Sequence, residues 1–196
     1  ADLGSFTCKS GVSTRGDCSG EHNVRARLNT GTPVVRNLFY PMRDSTCMSE
    51  PLALDIDGTI TTPDGRIDPR AVSMLHKWEE PVLLATGMAL PYPVVLCRFL
   101  GIPELVVAEN GGAVYIDGEV HAESGRKQAW KVIDKFRERG GSTGWERDSS
   151  INRWRTTEAV VSSQGNERVL CAVAGGCGPR VFFTGYFVHI TGPRVS

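Results

Sequence analysis

Two aspartates, Asp55 and Asp57, stand two positions apart at the end of an apolar run in LALDIDGTI, residues 52–60. A short aliphatic run that ends at a turn signal is typical of a buried strand, and Gly58 gives the turn its conformational freedom. The strand holds the residues that follow it in a fixed position, so both carboxylates can lie close together at its end. In such a pair, one acid can act as a nucleophile or metal ligand while the other transfers protons.

A second candidate site is formed by Thr86 and Gly87, where the next predicted strand, residues 81–86, ends. The Thr86 hydroxyl and the free backbone N–H groups of the following turn suit the oxygens of a phosphate. Two neighbouring acids repel an anionic substrate, so a phosphate substrate at this site requires a divalent cation. The A-T-G triplet carries weight only because of its position at a strand end.

Strands and helices alternate in this part of the chain. Three apolar runs predict buried strands, at residues 51–56, 81–86 and 104–110. Two further stretches predict the connecting helices, at residues 66–80 and 91–100. The first helix has Asp68 as its N-cap, Pro69 at its first position and Trp78 on its apolar face, and Gly101 ends the second. This order predicts an α/β fold with a parallel sheet, in which ligands bind at the carboxyl ends of the strands.

The composition excludes several classes of partner. The 196 residues carry 22 Lys and Arg against 22 Asp and Glu, so no net charge attracts nucleic acid or a membrane surface. No apolar stretch reaches the roughly 18–20 residues of a membrane span, and no secretory signal pattern is present, which favours a cytoplasmic protein with a small-molecule partner. The six cysteines form no C-x-x-C pair and are predicted to be free thiols.

Residues 1–47 differ from the rest of the chain. They are rich in Gly, Ser, Thr, Arg and Asn without any period, and PVVRNLFY is the one candidate strand among them. This composition predicts a disordered extension, or sequence ahead of a start at Met48. The functional alternative is a basic docking arm.

Three segments match motifs of a known family. LDIDGTIT has the pattern D-x-D-G-T, LLATG places a threonine at the end of the next strand, and VVAENGGAVY contains E-N-G-G. These segments resemble the haloacid dehalogenase-like phosphatases, in the subgroup whose cap lies between the second and third motifs. Together with NRWRTTE, they are most similar to the archaeal-type phosphoglycolate phosphatases, over residues 51–196.

The resemblance implies a role for each matching residue. Asp55 would attack phosphorus and form an aspartyl phosphate, and Asp57 would protonate the leaving oxygen and then activate water. Thr86, with Gly87 and Gly58, would bind the phosphoryl group of a small phosphorylated metabolite. Mg²⁺ would be held by the Asp55 carboxylate and the backbone carbonyl of Asp57.

The resemblance also implies that residues 119–196 form a cap. The apolar patterns there predict elements in the order αββαββ, at residues 125–141, 142–146, 151–163, 166–176, 180–184 and 186–191. Arg153, Arg155 and His189 are cap side chains that could meet a substrate carboxylate; the alternative is that each is solvated on the sheet. Asn110 either lines the cleft as a substrate contact or only serves the turn in E-N-G-G.

Two family motifs have no match in this sequence. The family uses a lysine in its third motif and acids of a G-D-x-x-N-D segment in its fourth, but no Lys follows Lys135 and no acid follows Glu167. We therefore expect an incomplete Rossmann-like parallel core at residues 48–118, with its C-terminal part missing, and impaired activity. The expected function is magnesium-dependent hydrolysis of phosphoglycolate; the alternatives are a sugar-phosphate phosphatase and a non-catalytic remnant.

Overall fold

The protein is described by a computed structural model over residues 21–27, 33–39, 52–162, 167–175, 179–184 and 187–192. In the first two ranges, strands β1 (Glu21–Arg27) and β2 (Pro33–Phe39) form an antiparallel pair in which Glu21 lies opposite Phe39. The candidate strand PVVRNLFY coincides with β2, whereas β1 was not predicted. The sequence EHNVRAR has no apolar period, so its strand conformation depends on backbone pairing with β2, which no local pattern reveals.

A five-stranded sheet forms the core. It contains β3 (Leu52–Leu54), β4 (Val82–Ala85), β5 (Val106–Ala108), β6 (Ala113–Ile116) and β7 (Glu119–Ala122), in that spatial order. The pairs β3–β4 and β4–β5 are parallel, as the sequence predicted. The strand β3 is only partly buried and Ala53 is exposed, because β3 is an edge strand of the described sheet. The expectation that this strand is buried is therefore wrong for Ala53.

The last two strands of the core sheet are antiparallel to their neighbours. After β5 the chain reverses in a short 3₁₀ turn, Glu109–Gly111, and returns as β6, which pairs with β5 and then with β7. The sequence analysis did not predict β6 or β7. It also assigned residues 119–122 to the cap, whereas the structure places them in the core sheet as β7.

Two helices follow the first two core strands. The helix α1 (Pro69–Leu75) starts at the predicted N-cap, where the Asp68 side chain accepts the N–H of Arg70. It ends earlier than predicted, and Trp78 is 44% exposed instead of lying on the apolar face. The reason is a change to tighter turns after Leu75, where the Trp78 N–H donates to the Leu75 carbonyl at 3.1 Å. The helix α2 (Pro91–Leu100) has the predicted bounds and ends at Gly101 in a left-handed conformation.

The second unit is an antiparallel sheet covered by two helices. Its elements are α3 (Arg126–Glu138), β8 (Glu158–Ser162), α4 (Glu167–Gly175), β9 (Arg180–Thr184) and β10 (Phe187–Thr191), with the strand order β8-β10-β9. The predicted apolar face of α3, which contains Trp130, Ile133 and Phe136, is buried against the sheet. We call this unit the cap.

The predicted strand at residues 142–146 is wrong, and the cap order is αβαββ. In this segment, the Thr143 carbonyl accepts a hydrogen bond from the Ser162 N–H of β8, as it would between paired strands. Further along the same edge, the Asn152 amide binds the Val160 backbone twice, accepting its N–H at 2.8 Å and donating to its carbonyl at 2.9 Å. Because this side chain satisfies the edge of β8, no additional strand is needed there. The predicted strand at residues 151–163 is correspondingly reduced to β8.

Two of the six cysteines lie in the described ranges. Cys97 and Cys171 are free thiols, as predicted, and the other four cysteines lie outside the described residues. Burial, with a smaller contribution from Glu104, raises the pKa of the Cys97 thiol to about 11, so this group stays protonated at neutral pH. Among the described helices, none combines the length and the hydropathy of a membrane span.

Candidate active site

Asp55 and Asp57 lie in a tight turn directly after β3. The carbonyl of Ile56 accepts three N–H groups of this turn, those of Thr59, Ile60 and Thr61, at 3.0–3.3 Å. The Ile56 side chain is buried in the core and anchors the turn, while both aspartates are exposed. The Asp55 carboxylate also accepts the Ile56 N–H at 2.8 Å, which orients it at the end of the strand.

Gly58 and Thr61 shape this turn together. Gly58 has φ +77°, a conformation that a side chain would disfavour, and its N–H donates to the Thr61 hydroxyl oxygen at 2.9 Å. The Thr61 hydroxyl in turn donates to the Ile56 carbonyl at 3.2 Å. The Gly58 N–H, which was predicted to bind phosphate, is thus engaged within the turn. The role of Thr61 was missed because its contacts depend on the turn geometry and not on a sequence period.

Thr86 lies at the same edge of the sheet as Asp55. Because β3 and β4 are parallel with Leu54 opposite Leu84, Asp55 and Thr86 both leave their strands at the carboxyl end. The Thr86 N–H extends the β4–β5 ladder to the Val107 carbonyl at 2.9 Å, and its side chain is 7% exposed. Its hydroxyl oxygen accepts the Met88 N–H at 3.2 Å, which leaves the hydroxyl hydrogen to be donated elsewhere.

The two aspartates influence each other electrostatically. Asp57 is exposed overall, but the part of its carboxyl that the protein shields from water, and to a smaller degree the negative charge of Asp55, raise the pKa of that carboxyl above its ordinary value. A raised pKa favours the protonated carboxylic acid, the form that donates a proton to a leaving group.

We expect the pKa of Asp57 to fall part of the way toward its ordinary value in an Asp55→Asn variant, because burial is the larger cause and remains. Since a raised folded-state pKa makes the folded protein bind more protons, the free energy of unfolding should decrease as pH rises through that pKa. The decrease should be smaller in the variant. A ¹³C NMR titration of the Asp57 carboxyl carbon in both proteins measures the shift; an unchanged midpoint would contradict the assignment of Asp55 as a cause.

The E-N-G-G turn connects the core to the cap. Glu109 and Asn110 have φ +52° and +55°, left-handed values that are uncommon for residues with side chains. The Glu109 side chain is fully buried, and its carboxylate accepts the N–H groups of Thr156 and Thr157 at 2.8–3.1 Å and the Thr157 hydroxyl at 2.6 Å. The sequence analysis noted the motif but not this role of Glu109, whose partners lie 47 and 48 positions further along the chain.

Asn110 faces a buried polar cluster of the cap. Its side-chain amide donates to Glu158 at 3.1 Å and lies 3.0 Å from Nδ1 of His189. Glu158 is fully buried and is also bound by the Arg155 guanidinium. Arg155 and His189 are therefore buried, so the alternative that each is solvated on the sheet is wrong. Arg153 is exposed and lies in a turn ahead of β8, not on the sheet.

We expect Gly87→Ala to lower the free energy of unfolding by about 1 kcal/mol, because a Cβ atom there would lie 3.1 Å from Oδ1 of Asn110 and force it to move. Gly175→Ala is the control for an added methyl group without a contact, since a Cβ at Gly175 meets nothing within 4 Å; because Gly175 ends α4, alanine should not lower the free energy of unfolding there. Urea unfolding of both variants provides the measurement. If the two variants were equally stable, the close contact between Asn110 and a methyl group at position 87 would carry no cost in stability.

A family model for the haloacid dehalogenase-like hydrolases matches residues 52–154, slightly more than half of the chain. The match includes both aspartates, Thr86 and the E-N-G-G turn. The chain belongs to the haloacid dehalogenase-like hydrolase family. The resemblance inferred from the motifs is thereby confirmed.

Similar proteins within this family come from archaea. A phosphoglycolate phosphatase of Halorubrum lacusprofundi is 48% identical over 151 residues, which cover 76% of this chain and 66% of that protein. A phosphoglycolate phosphatase of Natronomonas pharaonis is 44% identical, with 73% of this chain and 64% of that protein covered. The matched part of the chain thus spans about two thirds of the length of these curated relatives.

Two solved structures with a similar fold can be compared with this chain. A protein of Thermoplasma acidophilum aligns with a TM-score of 0.64 and 26% identity, covering 74% of this chain and 65% of that one. A subclass IIB sugar phosphatase aligns with a TM-score of 0.54 at 15% identity, covering 74% and 70% of the two chains, which supports the fold alone. The α/β fold class predicted from the sequence is confirmed.

The turn after β3 offers oxygen ligands of the kind that Mg²⁺ binds. The exposed Asp55 carboxylate and the backbone carbonyl of Asp57 are hard donors, and a divalent cation would relieve the repulsion between the two acids, which contributes to the raised pKa of Asp57. In the described ranges, no group of three or more His, Cys, Asp or Glu side chains is arranged to hold a metal ion. The donor chemistry of the turn fits Mg²⁺ through these two oxygen ligands alone.

Proposed function

We propose that this protein is a phosphomonoester hydrolase that acts through a phosphorylated Asp55. The observation that carries the proposal is the position of Asp55 and Asp57 at the end of β3, next to Thr86 at the end of β4. In such a pair, one acid can act as a nucleophile and the other can transfer a proton. Membership of the hydrolase family supports this assignment.

The proposed reaction has two displacements on phosphorus. An oxygen of the Asp55 carboxylate forms a bond to phosphorus while the bond to the ester oxygen breaks, and the protonated Asp57 gives its proton to that leaving oxygen. Asp57, now a carboxylate, takes a proton from water as the water oxygen bonds to phosphorus and the bond to Asp55 breaks. The products are an alcohol and inorganic phosphate, and both aspartates return to their initial states.

Thr86 and magnesium complete the proposed site. The Thr86 hydroxyl hydrogen, which is not used in the bond to Met88, would donate to a phosphoryl oxygen. Mg²⁺ held by the Asp55 carboxylate and the Asp57 backbone carbonyl would neutralise charge on the phosphoryl oxygens. The surrounding protein holds these groups rigidly because the Asp55 turn is anchored by buried Ile56 and Ile60.

Phosphoglycolate is the substrate we favour. The relatives at 48% and 44% identity are phosphoglycolate phosphatases, and the matches cover 76% and 73% of this chain. A sugar phosphate is the alternative within the same reaction class. A non-catalytic protein that binds a partner is the alternative outside it.

Phosphate release distinguishes these alternatives. The protein is incubated with phosphoglycolate, a hexose phosphate and an aryl phosphate, with Mg²⁺ or with a chelator. The proposal predicts magnesium-dependent release that is fastest with phosphoglycolate. Preference for the hexose phosphate would replace the substrate assignment, and no release from any of the three esters would contradict the hydrolase assignment.

A further inference from the structure

Arg155 is the cap residue that reaches the loop after Thr86. We propose that Arg155 is a positioning residue for phosphate binding: it orients the Thr86 hydroxyl through the peptide group between Gly87 and Met88. This inference rests on the proposed function, since it assigns a role within the same site. Thr86 contacts the phosphoryl group, and Arg155 acts only through Thr86.

The side chain of Arg155 is held in one orientation by its own segment. It is 7% exposed, Nε donates to the Ile151 carbonyl at 3.0 Å, and Nη1 binds the fully buried carboxylate of Glu158. A charged, planar group with partners in these directions has little freedom to rotate. Arg155 is therefore a rigid donor at the boundary between cap and core.

The remaining bond of Arg155 is made to the core. Its Nη1 donates to the carbonyl oxygen of Gly87 at 2.9 Å. In a trans peptide the carbonyl and the next N–H point in opposite directions, so this bond also directs the Met88 N–H away from the cap. That N–H donates to Oγ1 of Thr86 at 3.2 Å.

The bond from Met88 determines the direction in which Thr86 can donate its hydroxyl hydrogen. Because Oγ1 accepts the bond from Met88, the hydroxyl acts as a donor in a direction away from that N–H. A phosphoryl oxygen needs a donor, and a fixed hydroxyl costs no reorganisation when it binds. The link from Glu158 through Arg155 and the Gly87–Met88 peptide thus prepares Thr86 for an anion.

Asn110 also lies against Gly87. Its amide is bound to Glu158, and its Oδ1 lies against Gly87, where a Cβ atom would approach it to 3.1 Å. Gly87 is therefore confined between Arg155 and Asn110, which both depend on Glu158. This confinement is consistent with a positioned loop and not with a loosely packed one.

A double-mutant cycle between Arg155→Gln and Thr86→Val tests the proposal. The measurements are KM for phosphoglycolate and the dissociation constant of inorganic phosphate by calorimetry. We expect Arg155→Gln to raise KM and the dissociation constant of phosphate by about tenfold each, because the Thr86 hydroxyl is then no longer oriented for its hydrogen bond to the charged phosphoryl group. In the Thr86→Val background, Arg155→Gln should cause no further change, because the hydroxyl that it orients is absent. Effects that multiply instead would overturn the proposal and indicate an independent structural role.

Two controls keep the result interpretable. Arg139→Gln removes the same charge from an exposed site of the cap and should leave both constants unchanged. If Arg155→Gln does not fold because the buried Glu158 carboxylate loses the guanidinium that neutralises it, the cycle is repeated with the Arg155→Gln/Glu158→Gln pair, which removes both charges. A native protein that neither hydrolyses the ester nor binds phosphate would refute the proposed function itself, whereas multiplicative effects in an active enzyme refute only the role of Arg155.

Discussion

Asp55→Asn should reduce magnesium-dependent phosphate release by at least about a thousandfold. The amide of asparagine is isosteric with the carboxylate but carries no negative charge and is a poor nucleophile toward phosphorus. Asp55 is exposed at the end of β3, and its one described backbone bond, from the Ile56 N–H, can be made by the asparagine carbonyl. The loss should therefore appear in kcat while the thermal unfolding midpoint stays the same or rises.

Asp64→Asn is the matched control for this variant. Asp64 is an exposed aspartate of the same segment, where it forms an ion pair with the exposed Arg66, and it has no proposed catalytic role. Its replacement should leave kcat within about twofold, because exposed ion pairs contribute little. If Asp55→Asn retained most of the activity of the native protein, another nucleophile would have to be sought.

Glu109→Ala should lower the free energy of unfolding by about 3–5 kcal/mol. The Glu109 carboxylate is fully buried and accepts two backbone N–H groups and a hydroxyl from Thr156 and Thr157. Removing it leaves these buried donors without an acceptor at the boundary between core and cap. Glu109→Gln should cost roughly half as much, because the amide keeps one acceptor oxygen and turns the other position into a donor.

Urea unfolding measures both Glu109 variants against Glu138→Ala. Glu138 is an exposed residue at the end of α3, and its change to alanine should alter stability by less than about 0.5 kcal/mol. A loss for Glu109→Ala no larger than that of Glu138→Ala would show that the carboxylate does not join the two units. If the urea transition of Glu109→Ala became less cooperative, this would instead show that the cap unfolds separately from the core.

The amino-acid sequence by itself determined the elements whose signals are local. The apolar runs before Asp55 and Thr86 became parallel strands, the helix from Pro91 to Leu100 ended at the predicted glycine, and Asp68 capped α1. These features depend on residues within a few positions of one another, so periodicity and capping chemistry reveal them. The D-x-D-G-T and E-N-G-G motifs likewise revealed the family.

Only the tertiary structure decided which polar groups meet across long separations. The Glu109 carboxylate binds Thr157 48 positions away, and Asn110 meets His189 79 positions away. Whether Arg155 is solvated or buried depends on the approach of the cap to Gly87, which no local pattern encodes. The same holds for the edge of β8, where the Asn152 side chain takes the place of a predicted strand. Such contacts follow from the packing of whole units, because buried donors and acceptors must find partners wherever the fold brings them together.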